Sequence, residues 1–287
     1  MWALFKHKLL SNWGMILGWG IGLGLLGFFM FGIYDSFIDQ NVDILQIMQA
    51  MPSEFMAFFG DQVDPTSPEG FLTIEFFSYI PVILGFVVIS NASGLITGKE
   101  EDGTLELLIA QPISRSVVFW SRLGALFISL LLILVITWAG FAIGAQTTDS
   151  FDVSMLALLR PFASLLSLLL LFLGIALFLS MVLPSTKATT IVSGFILIAS
   201  YFIDSLARIE DSLSTINKFL PFRYYETGEA LHGLNSSYVL LLLGVGTALI
   251  LLAWLTFARR DLHFGITSGL RIVLPKIKKI NRSLGES

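Results

Sequence analysis

The sequence has no cysteine, which excludes disulfides, thiolate metal sites and cysteine nucleophiles while leaving the redox compartment undetermined. Histidine is scarce as well: His7, His232 and His263 each fall in a polar flank, so no buried metal cluster is legible. Charge is low, at 13% of residues against the about 25% that covers a typical soluble domain. Seventeen Lys and Arg against 21 Asp and Glu give a net charge of −4, which argues against a nucleic-acid partner. Hydrocarbon takes the place of charge, since 55% of the 287 residues are hydrophobic and the mean hydropathy is +0.82. The solvent for most of this chain is lipid.

A hydrocarbon core of about 30 Å takes about 20 apolar residues to cross as a helix. Six runs are candidates: 13–34, 71–96, 123–144, 163–183, 188–203 and 238–257. The fifth is the weakest, because it is short, lies only 184–187 away from its neighbour and meets Asp204 at its far end. A signal peptide would stop after about 7 to 15 apolar residues. The first run continues past that, so it reads as an uncleaved spanning helix. Backbone groups in lipid must be satisfied within helices or closed barrels, and the period-2 alternation of a barrel is missing. The expected fold class is an all-α integral membrane protein, with a six-helix domain over 1–258 and a basic tail over 259–287.

Basic residues set the orientation. With the N-terminus inside, 13 of the 17 Lys and Arg fall inside and only Arg160, Arg208, Lys218 and Arg223 fall outside. The loop 35–70 has no Lys or Arg but carries seven acidic residues, from Asp35 to Glu69. Both termini are therefore expected in the cytoplasm. No stretch outside lipid exceeds 36 residues, too few for a nucleotide-hydrolysing domain when domains run from about 50 residues upward. Any chemical energy source must belong to another chain.

Several motifs invite a specific reading. In the first run, Gly14, Gly18 and Gly22 share one helical face and Gly20, Gly24 and Gly27 another. Four-residue spacing of small residues lets helix backbones approach closely, either within the chain or at a subunit interface. The segment from Gly94 to Lys99 resembles a phosphate loop but has three residues between its glycines instead of four and Glu100 where Ser or Thr is needed, so it is not one. Glu75 stands near the outer end of the second run and Arg160 just before the fourth, at similar depth, placed to pair or to snorkel. Asn91 in the second run suits a helix-to-helix hydrogen bond, and Pro81 a kink. In the loop between the second and third runs, Glu100, Glu101 and Asp102 precede Leu105, Leu108 and Ile109, an acidic start followed by an i, i+3, i+4 apolar face, and Pro112 ends it. Such a short helix must bury its face against the membrane surface or a partner.

The run Glu100-x-x-Gly103-Thr104-Leu105-x-x-Leu108, followed by Gln111-Pro112-Ile113-Ser114-Arg115 and Arg122, resembles the loop between the second and third helices of type 2 ATP-binding-cassette (ABC) permeases. The stretch from Leu220 to Tyr225 is similar to the one preceding that family's last helix. The resemblance implies an exporter's membrane subunit, in which Glu100, Glu101, Gly103, Thr104, Leu105, Leu108, Pro112 and Arg115 form a coupling helix docked on a separate ATPase subunit. It implies two copies of each subunit, with ATP and Mg bound by the partner and no cofactor in this chain. It also implies an interfacial elbow helix over residues 1–10 and a re-entrant outer element after Asp204. Membrane lipid is the remaining partner, about the basic tail. The rival readings are a membrane-embedded enzyme, disfavoured because Glu75 is the single acid or base within the six runs, and an anchor subunit that transports nothing. The transported substrate is not written in the sequence.

This topology is checked by single cysteines at Asp61 and Gln111. An impermeant thiol reagent on intact cells is expected to label position 61 and spare 111, and the opposite pattern would invert the orientation.

Overall fold

A computed structural model describes residues 2–39, 67–95, 114–148, 151 and 153–259. The chain divides into two units, 1–257 and 258–287. All but the first two residues of the second unit lie outside the described residues, so the architecture below is that of the first. Among the described residues every regular element is helical. In order these are α1 (Trp2–Ser11), α2 (Trp13–Asp39), α3 (Pro68–Leu72), a π-helical turn (Thr73–Phe77), α4 (Ile80–Ser93), α5 (Arg115–Gln146), α6 (Met155–Val182), α7 (Thr186–Leu206), α8 (Ser214–Asn217) and α9 (Ser236–Arg259). Six helical stretches are long and apolar enough to cross a membrane, with α3, the π turn and α4 together making one of them.

The weak fifth run is a full span: α7 covers 21 residues, opened by the Ser185 side chain accepting from the Ala188 N–H at 3.2 Å. Two other boundaries move. α5 starts at Arg115 instead of 123, because Ser114 caps it and Val118 and Phe119 already face the core. α6 starts at Met155 instead of 163, capped by Ser154, so Arg160 lies within the helix and not ahead of it. In each case a charged residue inside the helix, Arg122 in α5 and Arg160 followed by Pro161 in α6, breaks the apolar run and hides the true start. Pro81 lies in the first turn of α4, immediately after the π turn has broken the second span. The elbow expected over 1–10 is α1, on which Trp2 and Phe5 stack at 5.4 Å.

Packing in lipid has little hydrophobic drive between helices, so close approach of backbones matters. α2 and α5 form the most intimate pair. Gly20 and Gly24 lie over Ile136, and Gly27 lies over the Phe141 ring. A methyl group on Gly140 would run into the Gly24 carbonyl, and one on Gly144 would come within 2.6 Å of Phe31. The other face of α2 is different: a Cβ on Gly14, Gly18 or Gly22 would meet nothing within 4 Å. α6 and the second span are the two most enclosed; in α6, Leu165, Leu168, Leu169, Phe172 and Leu177 are fully buried, and it crosses α9 through Gly174 and Gly246. An aromatic cluster locks α2, the π turn, α5 and α6 together. Within it Phe76 meets Phe141 at 4.6 Å and Phe77 meets Phe162 at 5.3 Å, both nearly edge to face.

The two glycine faces of α2 and its partner therefore differ in tolerance. Gly140→Ala is expected to lower stability by about 1 to 3 kcal/mol through overpacking, whereas Gly18→Ala should stay within about 0.5 kcal/mol of the parent. Thermal unfolding in detergent compares them.

Candidate functional site

Residues 96–113 lie outside the described residues, and with them Glu100, Glu101, Gly103, Thr104, Leu105, Leu108 and Pro112. The two stems that carry this loop are described. α4 ends at Ser93, and the chain is followed to Leu95, whose N–H donates to the Ala92 carbonyl at 3.1 Å. A carbonyl just past a helix end has lost its intrahelical partner. The Leu95 carbonyl is taken by the Arg122 guanidinium at 2.8 Å. Arg122 stands two turns into α5, so one hydrogen bond fastens the start of the loop to the helix that leaves it. On the far side of that helix the Trp254 indole N–H donates to the Ser116 hydroxyl at 3.1 Å and brings α9 to the same stem. Arg115 is the first residue of α5. Nearby, buried Asn12 donates to the Ser129 hydroxyl at 3.0 Å, pinning the α1–α2 elbow to α5.

The opposite end of the bundle is closed by residues 207–235. This segment runs inward instead of lying flat, and Asn217, Phe222, Tyr225, Ala230 and Leu231 are buried. Its exposed backbone groups are met by side chains of the spanning helices. The Gly228 N–H donates to Thr73 Oγ1 at 2.9 Å, and that hydroxyl in turn donates to Thr227. The Glu226 N–H donates to the Ser164 hydroxyl at 2.9 Å. The Tyr225 hydroxyl donates to the Phe77 carbonyl at 3.0 Å. Burial pushes the Tyr225 pKa well above its ordinary value, which keeps the phenol neutral and able to donate. Asp204, 7% exposed in the last turn of α7, accepts from Asn217 at 2.9 Å and pairs with Arg208 at 3.1 Å, holding the start of the cap. The π turn belongs to this arrangement: the Thr73 carbonyl accepts both the Ser78 N–H at 2.9 Å and the Ser78 hydroxyl at 2.7 Å, while the Thr73 hydroxyl faces the cap.

Glu75 and Arg160 are brought to this end but do not pair with one another. Arg160 donates to the Leu231 carbonyl at 2.6 Å, because lying within α6 aims it at the cap. Glu75 is exposed on the π turn, and its backbone carbonyl accepts from the Tyr79 hydroxyl. Asn91 donates to the Val87 carbonyl at 2.9 Å and to the Met15 sulfur at 3.3 Å, the helix-to-helix contact expected of it. Sequence reasoning missed Asn12, Thr73, Ser164 and the structural role of Asp204. Their signal was a polar side chain inside or at the edge of an apolar run, which also describes many residues that do nothing.

A family model described as ABC-2 family transporter protein matches residues 14–262, all but the first residue of the six spanning helices. The chain belongs to that family. No curated protein matches the chain. The ABC-2 membership makes it a transporter's membrane protein, and the six apolar helices are the permease's transmembrane part. In this ABC-2 permease, then, Arg122 ties the chain just past α4 to α5, and at the other end of the bundle the segment 207–235 packs against the spanning helices.

Arg160→Gln is expected to lower thermal stability by roughly 1 kcal/mol, the usual worth of one hydrogen bond, and Glu75→Gln to leave it unchanged. The double variant should match Arg160→Gln alone, since additive behaviour marks independent sites.

Proposed function

We propose that the chain is the permease of an ABC exporter, moving its substrate by alternating access while a separate ATPase subunit binds Mg and ATP and hydrolyses them. Two permeases and two ATPases make the transporter, which sits in the plasma membrane with both permease termini cytoplasmic. Membership of the ABC-2 family over residues 14–262 carries this reading. The basic excess of 13 to 4 supports the orientation.

The loop 96–113 with Arg115 is the part that receives the ATPase. Its residues Glu100, Glu101, Gly103, Thr104, Leu105, Leu108 and Pro112 match the family's coupling pattern. Leu105, Leu108 and Ile109 have the i, i+3, i+4 spacing of an apolar helical face, which would fit a groove on the partner. Closure of the ATPases would push this helix, and the Arg122 bond to Leu95 supports the step that follows. With the chain just past α4 tied to α5 by that 2.8 Å hydrogen bond, α4 and α5 would tilt together instead of splaying. The cap at the other end bonds to the π turn and to α6, so movement of those helices would reach the outer closure.

Replacing Leu105 and Leu108 by Asp tests the coupling step. Charge in an apolar groove costs several kcal/mol, while insertion of the untouched spans should proceed. The double variant is expected to lose the co-purifying ATPase, or to keep it without substrate-stimulated hydrolysis. A variant that binds the ATPase and transports normally would sink the assignment.

A further inference from the structure

α9 is the least enclosed of the six spans, and among its residues only Leu242, Gly246, Ala253 and Phe257 are buried. It is also an unbroken α-helix of 24 residues. Its firm contacts fall at three levels. At the loop end the Trp254 indole N–H donates to the Ser116 hydroxyl at 3.1 Å, the Trp254 and Trp120 rings lie 6.0 Å apart, and Phe257 meets Phe119 at 6.1 Å. Ser116 is the second residue of α5, the helix that leaves the loop 96–113. In the middle, a Cβ on Gly174 would come within 2.6 Å of the Gly246 carbonyl, and one on Gly246 within 3.0 Å of the Leu171 backbone. At the cap end the Asn235 side chain accepts from the Ser237 N–H at 3.0 Å and so caps the helix. The Asn235 N–H in turn donates to the Glu226 carboxylate at 2.8 Å, and the Tyr238 and Tyr224 rings lie 5.3 Å apart. Glu226 and Tyr224 belong to the cap, and it is the Glu226 N–H that Ser164 of α6 holds.

A stiff rod gripped at both ends and pressed closest to its support at one crossing can turn about that crossing. At about 1.5 Å per residue, Trp254 lies about 12 Å past Gly246 and Ser236 about 15 Å before it. The two arms are nearly equal. The second span also reaches from loop to cap, through Leu95 and Thr73. It is interrupted by the π turn and is one of the two most enclosed spans, so it is poorly suited to turn as a rod.

From this arrangement we infer that α9 is a lever between the two ends of the permease. Trp254 and Ser116 are its grip on the loop stem, Gly174 and Gly246 its pivot, and Asn235 and Glu226 its grip on the cap. Displacement of the first turn of α5 swings the cap end of α9 the opposite way, which pulls on Glu226 and on the Ser164 bond behind it. The link belongs to the permease alone and holds whether or not an ATPase pushes on the loop. A coupling of this kind acts in both directions.

Hydrogen exchange of the detergent-purified permease, followed by mass spectrometry without any ATPase, tests it. Ser116→Ala, which removes the acceptor, and Trp254→Phe, which keeps a ring but loses the donor, are each expected to speed exchange across 224–235. The expected gain is about threefold, part of the about fivefold that the loss of one hydrogen bond allows. Exchange in the buried middle of α6 should stay unchanged. Asn12→Ala, which removes the bond to Ser129 of α5 but none of α9, should leave 224–235 unchanged. Conversely, Glu226→Ala should speed exchange in the first two turns of α5. Unchanged exchange at the cap in both Ser116→Ala and Trp254→Phe would overturn the lever, as would an equal rise in α6, which marks general loosening. An equal effect of Asn12→Ala, or no response of α5 to Glu226→Ala, would overturn it too.

Discussion

Inside a bilayer, a carbonyl or N–H that loses its helical partner has no water to turn to, and the cost of each orphan is several kcal/mol. Several irregular backbone groups among the described residues are met accordingly. Past the end of α4 the Leu95 carbonyl is taken by Arg122. Beside the π turn, the Thr73 hydroxyl takes the Gly228 N–H. Where the cap descends between helices, Ser164 and Arg160 meet its backbone. These few polar side chains are why the protein can afford irregular backbone at both ends of an apolar bundle.

The same constraint divides the molecule into parts of different rigidity. The centre is held by aromatic edges and by backbone contacts at Gly24, Gly140, Gly174 and Gly246, where even one methyl group would intrude. Such interfaces resist gradual deformation. The cap end is held by several hydrogen bonds, through Thr73, Ser164, Tyr225 and Arg160, and the loop end by that of Arg122, each worth roughly 1 kcal/mol.

α2 shows how one helix serves two solvents. Gly20, Gly24 and Gly27 bring it against α5, while Gly14, Gly18 and Gly22 on the other face touch nothing. Identical residue types at similar spacing thus produce a tight intramolecular seam on one side and, on the other, a wall where a Cβ would meet no described atom within 4 Å. What distinguishes the two faces is the partner helix, since α5 presents Gly140 and Gly144 where its Cβ atoms would otherwise collide.

Hydrophobic length and loop charge are local properties, and from them alone the six spans, the all-helical class and the family pattern from Glu100 to Arg115 could be read. Partner choice is not local. Arg160 looked like a mate for Glu75 because the two stand at similar depth, yet an α6 that begins at Met155 turns Arg160 toward Leu231. Arg122 and the Arg160–Pro161 pair concealed the starts of α5 and α6, because an interrupted apolar run looks like a helix that begins after the interruption. Asn12, Thr73 and Ser164 gained their roles only when distant segments arrived beside them. The sequence determined which segments enter lipid, because transfer free energy adds residue by residue. Only the tertiary structure decided which polar group answers which orphan, because a hydrogen bond depends on where two atoms meet in space.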